Sequence, residues 1–165
     1  MRSTFGQSVE LYMKKTLLDP DTKTALMARI AKLQPDTPAL WGKMNVAQVL
    51  CHMADQFRVA LGEFPVQGEA GFFGRTVMRW LVLAGMPAPK EKVATMPELD
   101  QRTAGTKPTD FEKDRQTLYA YMDIVVSKGA EYPWASHPFF GKFGEKEWCR
   151  MGYIHLDHHL RQFGV

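Results

Sequence analysis

Apolar positions along the chain recur mostly at helical spacing. Asp19 followed by Pro20 offers an N-cap and a proline at the first helical position. Leu26, Ile30 and Leu33 then repeat on one face, until Pro35 and Pro38 end the segment. Asn45-Val46-Ala47-Gln48 has the form of a variant capping box. Beyond it Val46, Val49, Leu50, Met53, Phe57 and Ala60 make one stripe on a helix running to about Leu61. A shorter helix is predicted over 72–84, with Phe73, Val77, Trp80, Leu81 and Ala84 on one side. Thr109-Asp110-Phe111-Glu112 reads as a full capping box. It opens a helix to about Lys128 with Phe111, Leu118, Met122 and Val125 inward, and Gly129 is its stop. A last helix is predicted from about Glu145 to Phe163, closed by Gly164.

Residues 86–108 hold Pro87, Pro89, Pro97 and Pro108 and show no period. A loop of that length in a small domain carries function or moves. There is no strand of useful length, no internal repeat and no low-complexity segment. Four longer helices and a shorter one imply an all-α bundle, a single domain over residues 1–165.

Composition narrows the function classes. A chain of 165 residues is long enough to bury a substantial core, and 45% hydrophobic with 24% charged residues is ordinary for a soluble domain. The net charge of +3 is slight and the basic residues are scattered among acids, so a nucleic-acid surface is not expected. Cys51 and Cys149 form no CxxC pair and read as buried, inert thiols. The amino-terminal stretch lacks the apolar segment of a signal peptide, and the longest apolar run, starting at Trp80, is too short to cross a bilayer. The expectation is a cytoplasmic protein with no membrane partner.

The chemistry concentrates at the carboxyl terminus, in HLDHHLRQFGV, residues 155–165. At about 100° per residue, Trp148, Met151, Gly152, His155, Leu156, His159, Leu160 and Phe163 share one broad arc of the last helix. Lys146, Glu147, Arg150, Asp157 and Arg161 share the other. His155 and His159 fall inside the apolar arc one turn apart, whereas His158 sits at its border and reads as a surface residue. Two inward imidazoles at i and i+4 can converge on one cation, the spacing helical zinc motifs use. The competing reading is a pair of hydrogen-bonded core histidines. A pair alone holds a divalent metal poorly, which calls for a third donor. His52, beside the apolar stripe of the second helix, is one candidate, and His137 in the SHPFFG loop is the other.

Two segments carry a family likeness. WGKMNVAQVLCHMADQFRVALGE places a histidine mid-helix after a tryptophan-containing lead-in, and HPFFGKFGEKEWCRMGYIHLDHHLRQFG ends in HxxHHxxQ. Together they resemble the DinB/YfiT-like superfamily of metalloenzymes, and more closely one of its domain-of-unknown-function branches. The resemblance implies an up-down four-helix bundle, here with an extra short helix and a long proline-containing loop, often as a homodimer. It implies metal ligands at His52, His155 and His159. Better-studied relatives are thiol-dependent enzymes that use mycothiol, bacillithiol or glutathione. This chain differs from those in having no recognisable second domain.

All-nitrogen ligation favours zinc, nickel, iron or copper over calcium or magnesium, without choosing among the four, and zinc or nickel is the expected cofactor. Such a metal lowers the pKa of bound water, giving a hydrolase, or binds a thiol as thiolate, giving a thiol transferase. The expected partner is a small molecule, such as a low-molecular-weight thiol. Gln56 and Gln162 each lie within a turn of a proposed ligand and are candidates to orient it. Asp55 is a weaker candidate base, its angle pointing away from the core. Arg75 and Arg79 share a face that either grips an anion or is simply solvated. Trp41, Phe139, Phe140 and Trp148 are candidate pocket walls, with core packing as the alternative.

Overall fold

The structure is a computed structural model, and it describes residues 15–68, 71–86 and 96–165. The amino-terminal stretch and much of the 86–108 loop, including Pro87 and Pro89, lie outside the described residues. Among the described residues the protein is all-α, with five α-helices and no strand beyond an isolated bridge of His137 with Gly141.

Helix α1 spans Pro20–Ile30, and the Asp19 side chain accepts from the free amides of Asp21 and Thr22 at its start. Leu26 and Ile30, with Leu33 just beyond, enter the core as the apolar spacing requires. Helix α2 spans Val46–Ala60 behind a reciprocal capping box between Asn45 and Gln48. Helix α4, Phe111–Ser127, buries the single row Leu118, Met122 and Val125, and the chain turns out at Gly129 with φ +73°. Helix α5, Glu145–Gln162, ends before Gly164, whose φ is +74°.

Two helices form the centre. Of the 15 residues of α2, 11 are buried, and so are 11 of the 18 residues of α5. Both are covered on more than one side, α2 by α4, α5 and the 97–106 loop, α5 by α1, α2, α4 and the short helix α3, Arg79–Leu83. This corrects the two-faced reading of α5. Arg150 and Asp157, placed by angle on the polar arc, are only 8% and 6% exposed. Each is buried together with at least one partner far off in sequence. Arg150 donates to the carbonyls of Leu83 and Lys15, and Asp157 pairs with Arg29 at 2.7 Å and Arg161 at 3.0 Å.

Two further expectations shift. The cap of α4 is Asp110 rather than Thr109: Asp110 accepts from Lys113, while Thr109 donates through its amide and hydroxyl to Asp114. The region 72–84 is helical but not one regular helix. A π-helical segment, Gly74–Met78, precedes α3, Arg79–Leu83. Its wider turn breaks the 3.6-residue period on which the inward face was drawn. Val77 and Trp80 therefore stand 47% and 68% exposed, Phe73 ahead of the π turn is 61% exposed, and the segment docks through Val82 and Leu83. No helix among the described residues is long and apolar enough to cross a membrane.

Candidate metal centre

The central position of α2 and α5 sets up the site. His52 faces α5 from the middle of α2, and His155 and His159 answer from successive turns of α5. The Nε2 atoms of His155 and His52 are 3.0 Å apart, and those of His159 and His155 are 3.1 Å apart. The three ligand atoms all lie within 4.8 Å of one another. The inward-facing pair and the choice of His52 as third donor thus coincide in space.

The outer nitrogens decide how the protons are distributed. His52 Nδ1 donates to the Leu99 carbonyl at 2.9 Å, a group that can only accept. Gln162 donates its amide nitrogen to the Trp41 carbonyl at 2.7 Å, so its oxygen faces His159 and accepts from His159 Nδ1 at 2.8 Å. With both Nδ1 atoms protonated, His52 and His159 turn bare lone pairs inward. At most one proton, on His155, stands among the three nitrogens, and His155 Nδ1 is itself buried without a hydrogen-bond partner. Burial holds all three rings well towards the neutral form. Mutual repulsion adds to this for His155 and His159, while the Leu99 carbonyl works against it at His52.

Two of the three nitrogen pairs are spaced for a shared cation. At metal–nitrogen bonds of about 2.0–2.1 Å, ligand pairs separated by about 90–110° stand roughly 2.9–3.4 Å apart. The two observed separations of 3.0 and 3.1 Å fall in that range. The acceptors behind His52 and His159 are the outer-shell partners that metal-bound imidazoles ordinarily have.

Gly42 secures the Gln162 contact. Its φ is +84°, and a Cβ there would stand 2.3 Å from the Gln162 amide nitrogen, so only glycine lets the turn after Trp41 close over that side chain.

The family model for DUF1569, described as a protein of unknown function, matches residues 13–164. The chain belongs to that family. No curated protein and no solved structure matches this DUF1569 chain.

The remaining sequence candidates fall outside the three-nitrogen group. His158 is partly buried, its ring 5.1 Å from that of His159 and 6.3 Å from Trp41. His137 Nδ1 accepts from the amides of Phe139 and Phe140, at 3.1 and 3.3 Å. Its ring stacks on Phe140 and lies 5.3 Å from Trp148, and burial pushes its pKa down to about 4. Trp148 is a core residue whose indole donates to Ala135, Phe140 is partly buried and Phe139 is half exposed. Gln56 Oε1 is buried and makes no hydrogen bond. Arg79 pairs with Glu147 at 2.9 Å and lies over the Phe143 ring. Arg75 packs against Gly141.

Asp55 is a correction. Its angle put it away from the core, yet it is 1% exposed, roofed by the 101–106 loop. Every polar contact it makes is to Arg58, Gln101 or Thr106, so as a base it has no path to the imidazoles. The Leu99 carbonyl was not foreseeable, because a backbone acceptor leaves no signature in residue type. Gly42 had a weak signal: a glycine one residue after the tryptophan of the second-helix lead-in.

Proposed function

We propose that this chain is a metal-dependent enzyme of the DinB/YfiT-like kind, holding one divalent transition metal on His52, His155 and His159. The observation that carries this reading is the meeting of three Nε2 atoms with at most one proton among them, on rings kept neutral by burial. Imidazole donors suit zinc, nickel, iron and copper, and zinc or nickel is the metal proposed. The order of the longer helices α1, α2, α4 and α5 suits an up-down four-helix bundle with α3 inserted. A cytoplasmic setting is part of the same reading.

Three protein ligands leave coordination positions for a small molecule, as in catalytic sites. Bound there, the metal would supply Lewis acidity towards water or a thiol. The protein's own part is to aim the ligands: Leu99 and Gln162 hold two rings by their Nδ1–H groups, and Gly42 keeps Gln162 seated. The substrate class proposed is a low-molecular-weight thiol adduct or a hydrolysable small molecule. The test is a panel of thiol-transfer and hydrolysis assays on protein reconstituted with zinc or nickel. Turnover abolished by His155→Ala supports the enzyme. Stoichiometric metal with no turnover, and loss of the fold on chelation, would instead make the metal structural in a non-catalytic bundle.

A homodimer is the assembly proposed. Phe72, Phe73, Val77 and Trp80 form an exposed apolar strip of the sort a second subunit covers. Sedimentation of the wild type as a dimer and of Trp80→Glu as a monomer is the expected result; a monomeric wild type would refute it.

A further inference from the structure

Beyond the ligands, the protein buries a carboxylate with no role in the chemistry. Asp55 lies three residues after His52 on α2 and is 1% exposed. Burying a carboxylate is costly unless its oxygens are filled, and these are filled by the 101–106 loop. Oδ2 accepts from the Gln101 amide at 2.9 Å and from the Thr106 backbone amide at 3.0 Å. Oδ1 accepts from the Thr106 hydroxyl at 2.6 Å and from Arg58 at 3.3 Å. Arg58 also reaches the Thr106 hydroxyl oxygen at 3.0 Å, closing the group.

The loop so held is braced within itself. Lys107 donates to the carbonyls of Gln101 and Thr103, Gly105 donates to Asp100, and Asp100 clasps Arg102. A Cβ on Gly105 would stand 2.7 Å from the Gln101 amide nitrogen, so a larger residue there would push the Gln101 side chain from its present place. Two residues before Gln101, the Leu99 carbonyl takes the Nδ1 proton of His52. One turn of α2 therefore carries both the ring and the carboxylate that holds the ring's acceptor in place.

We propose that Asp55 is a positioning residue for His52: by gripping Gln101 and Thr106 it fixes the Leu99 carbonyl, which sets the tautomer and aim of the His52 ring. This rests on the metal reading only for its effect on affinity; the effect on the ring exists in the metal-free protein. Because Asp55 acts at one remove, the loss of affinity falls at the low end of outer-shell effects, about tenfold.

The test uses the full chain as wild type, Asp55→Asn and Thr106→Val. His52 ring nitrogens are followed by long-range proton–nitrogen NMR in the metal-free protein, and zinc affinity by competition with a chromophoric chelator. The expected result is a pure Nδ1–H tautomer in wild type, a mixture of tautomers in both variants, and zinc affinity lowered about tenfold. An unchanged tautomer in the variants overturns the proposal, even if their melting temperature falls, since loop bracing alone would then explain the contacts. If Asp55→Asn does not fold, Thr106→Val decides by the same criterion. If wild type takes up no zinc, the metal reading fails, and the tautomer comparison still decides the role of Asp55.

Discussion

Replacing Gln162 by methionine should damage stability and metal affinity by separable amounts. The amide makes two hydrogen bonds, accepting from His159 Nδ1 at 2.8 Å and donating to the Trp41 carbonyl at 2.7 Å. Methionine is similar in length and leaves little cavity, so the cost is that of the orphaned polar groups. A buried ring N–H without an acceptor costs about 1–3 kcal/mol, and the partly buried Trp41 carbonyl adds about 0.5–1.5 kcal/mol. For a chain of this size each kcal/mol lowers the melting temperature by about 2–4 °C, giving a fall of roughly 3–18 °C. Freed from its acceptor, the His159 ring loses its fixed tautomer, and zinc affinity should drop about 10–100-fold. Thermal melts of the metal-free protein read the first effect and chelator competition the second. A variant that melts lower yet binds zinc within about twofold of wild type would refute the reasoning, because outer-shell orientation of a true ligand cannot be that cheap.

Three other outcomes are expected. His137 is neutral when folded, with its pKa pushed down to about 4, and ionises near 6.5 when unfolded. Between those values only the unfolded chain takes up this proton, so stability is lost as pH falls. The ring is only partly buried, so the loss is discounted to about 1–2 kcal/mol. Denaturant midpoints from pH 7 to 4 should flatten in His137→Asn, and an unchanged slope would contradict the assignment. Cys51 and Cys149 are buried thiols pushed up to about 12, so Ellman's reagent at pH 8 should label neither until guanidinium unfolds the chain. Gly152→Ala brings a methyl to 2.7 Å from Leu17 Cδ1 and Phe57 Cε1, and should cost about 1–3 kcal/mol in a thermal melt.

Helix positions were legible in the sequence because caps and apolar periods are local signals. Asn45, Gly129 and Gly164 mark ends that the structure keeps. The inward aim of His155 and His159 followed from the same arithmetic, since α5 is regular through that stretch. Periodicity fails where burial is bought by pairing. Asp55, Arg150 and Asp157 look solvent-facing on a helical wheel, yet each is enclosed by partners that the wheel cannot see. It fails again at Gly74–Met78, where one π turn rotates the following residues and leaves Trp80 outside. The acceptor behind His52 is a backbone carbonyl brought from 47 residues away, which only the folded chain can supply.

The central claim is that imidazoles from α2 and α5 share one ion. Elemental analysis of untagged protein, purified without chelator and dialysed, tests it most directly when run beside His52→Ala, His155→Ala and His159→Ala. One equivalent of transition metal in wild type, with less than about a tenth in each folded variant, is the expected result. Wild type without metal, or His52→Ala keeping a full equivalent, would contradict the account.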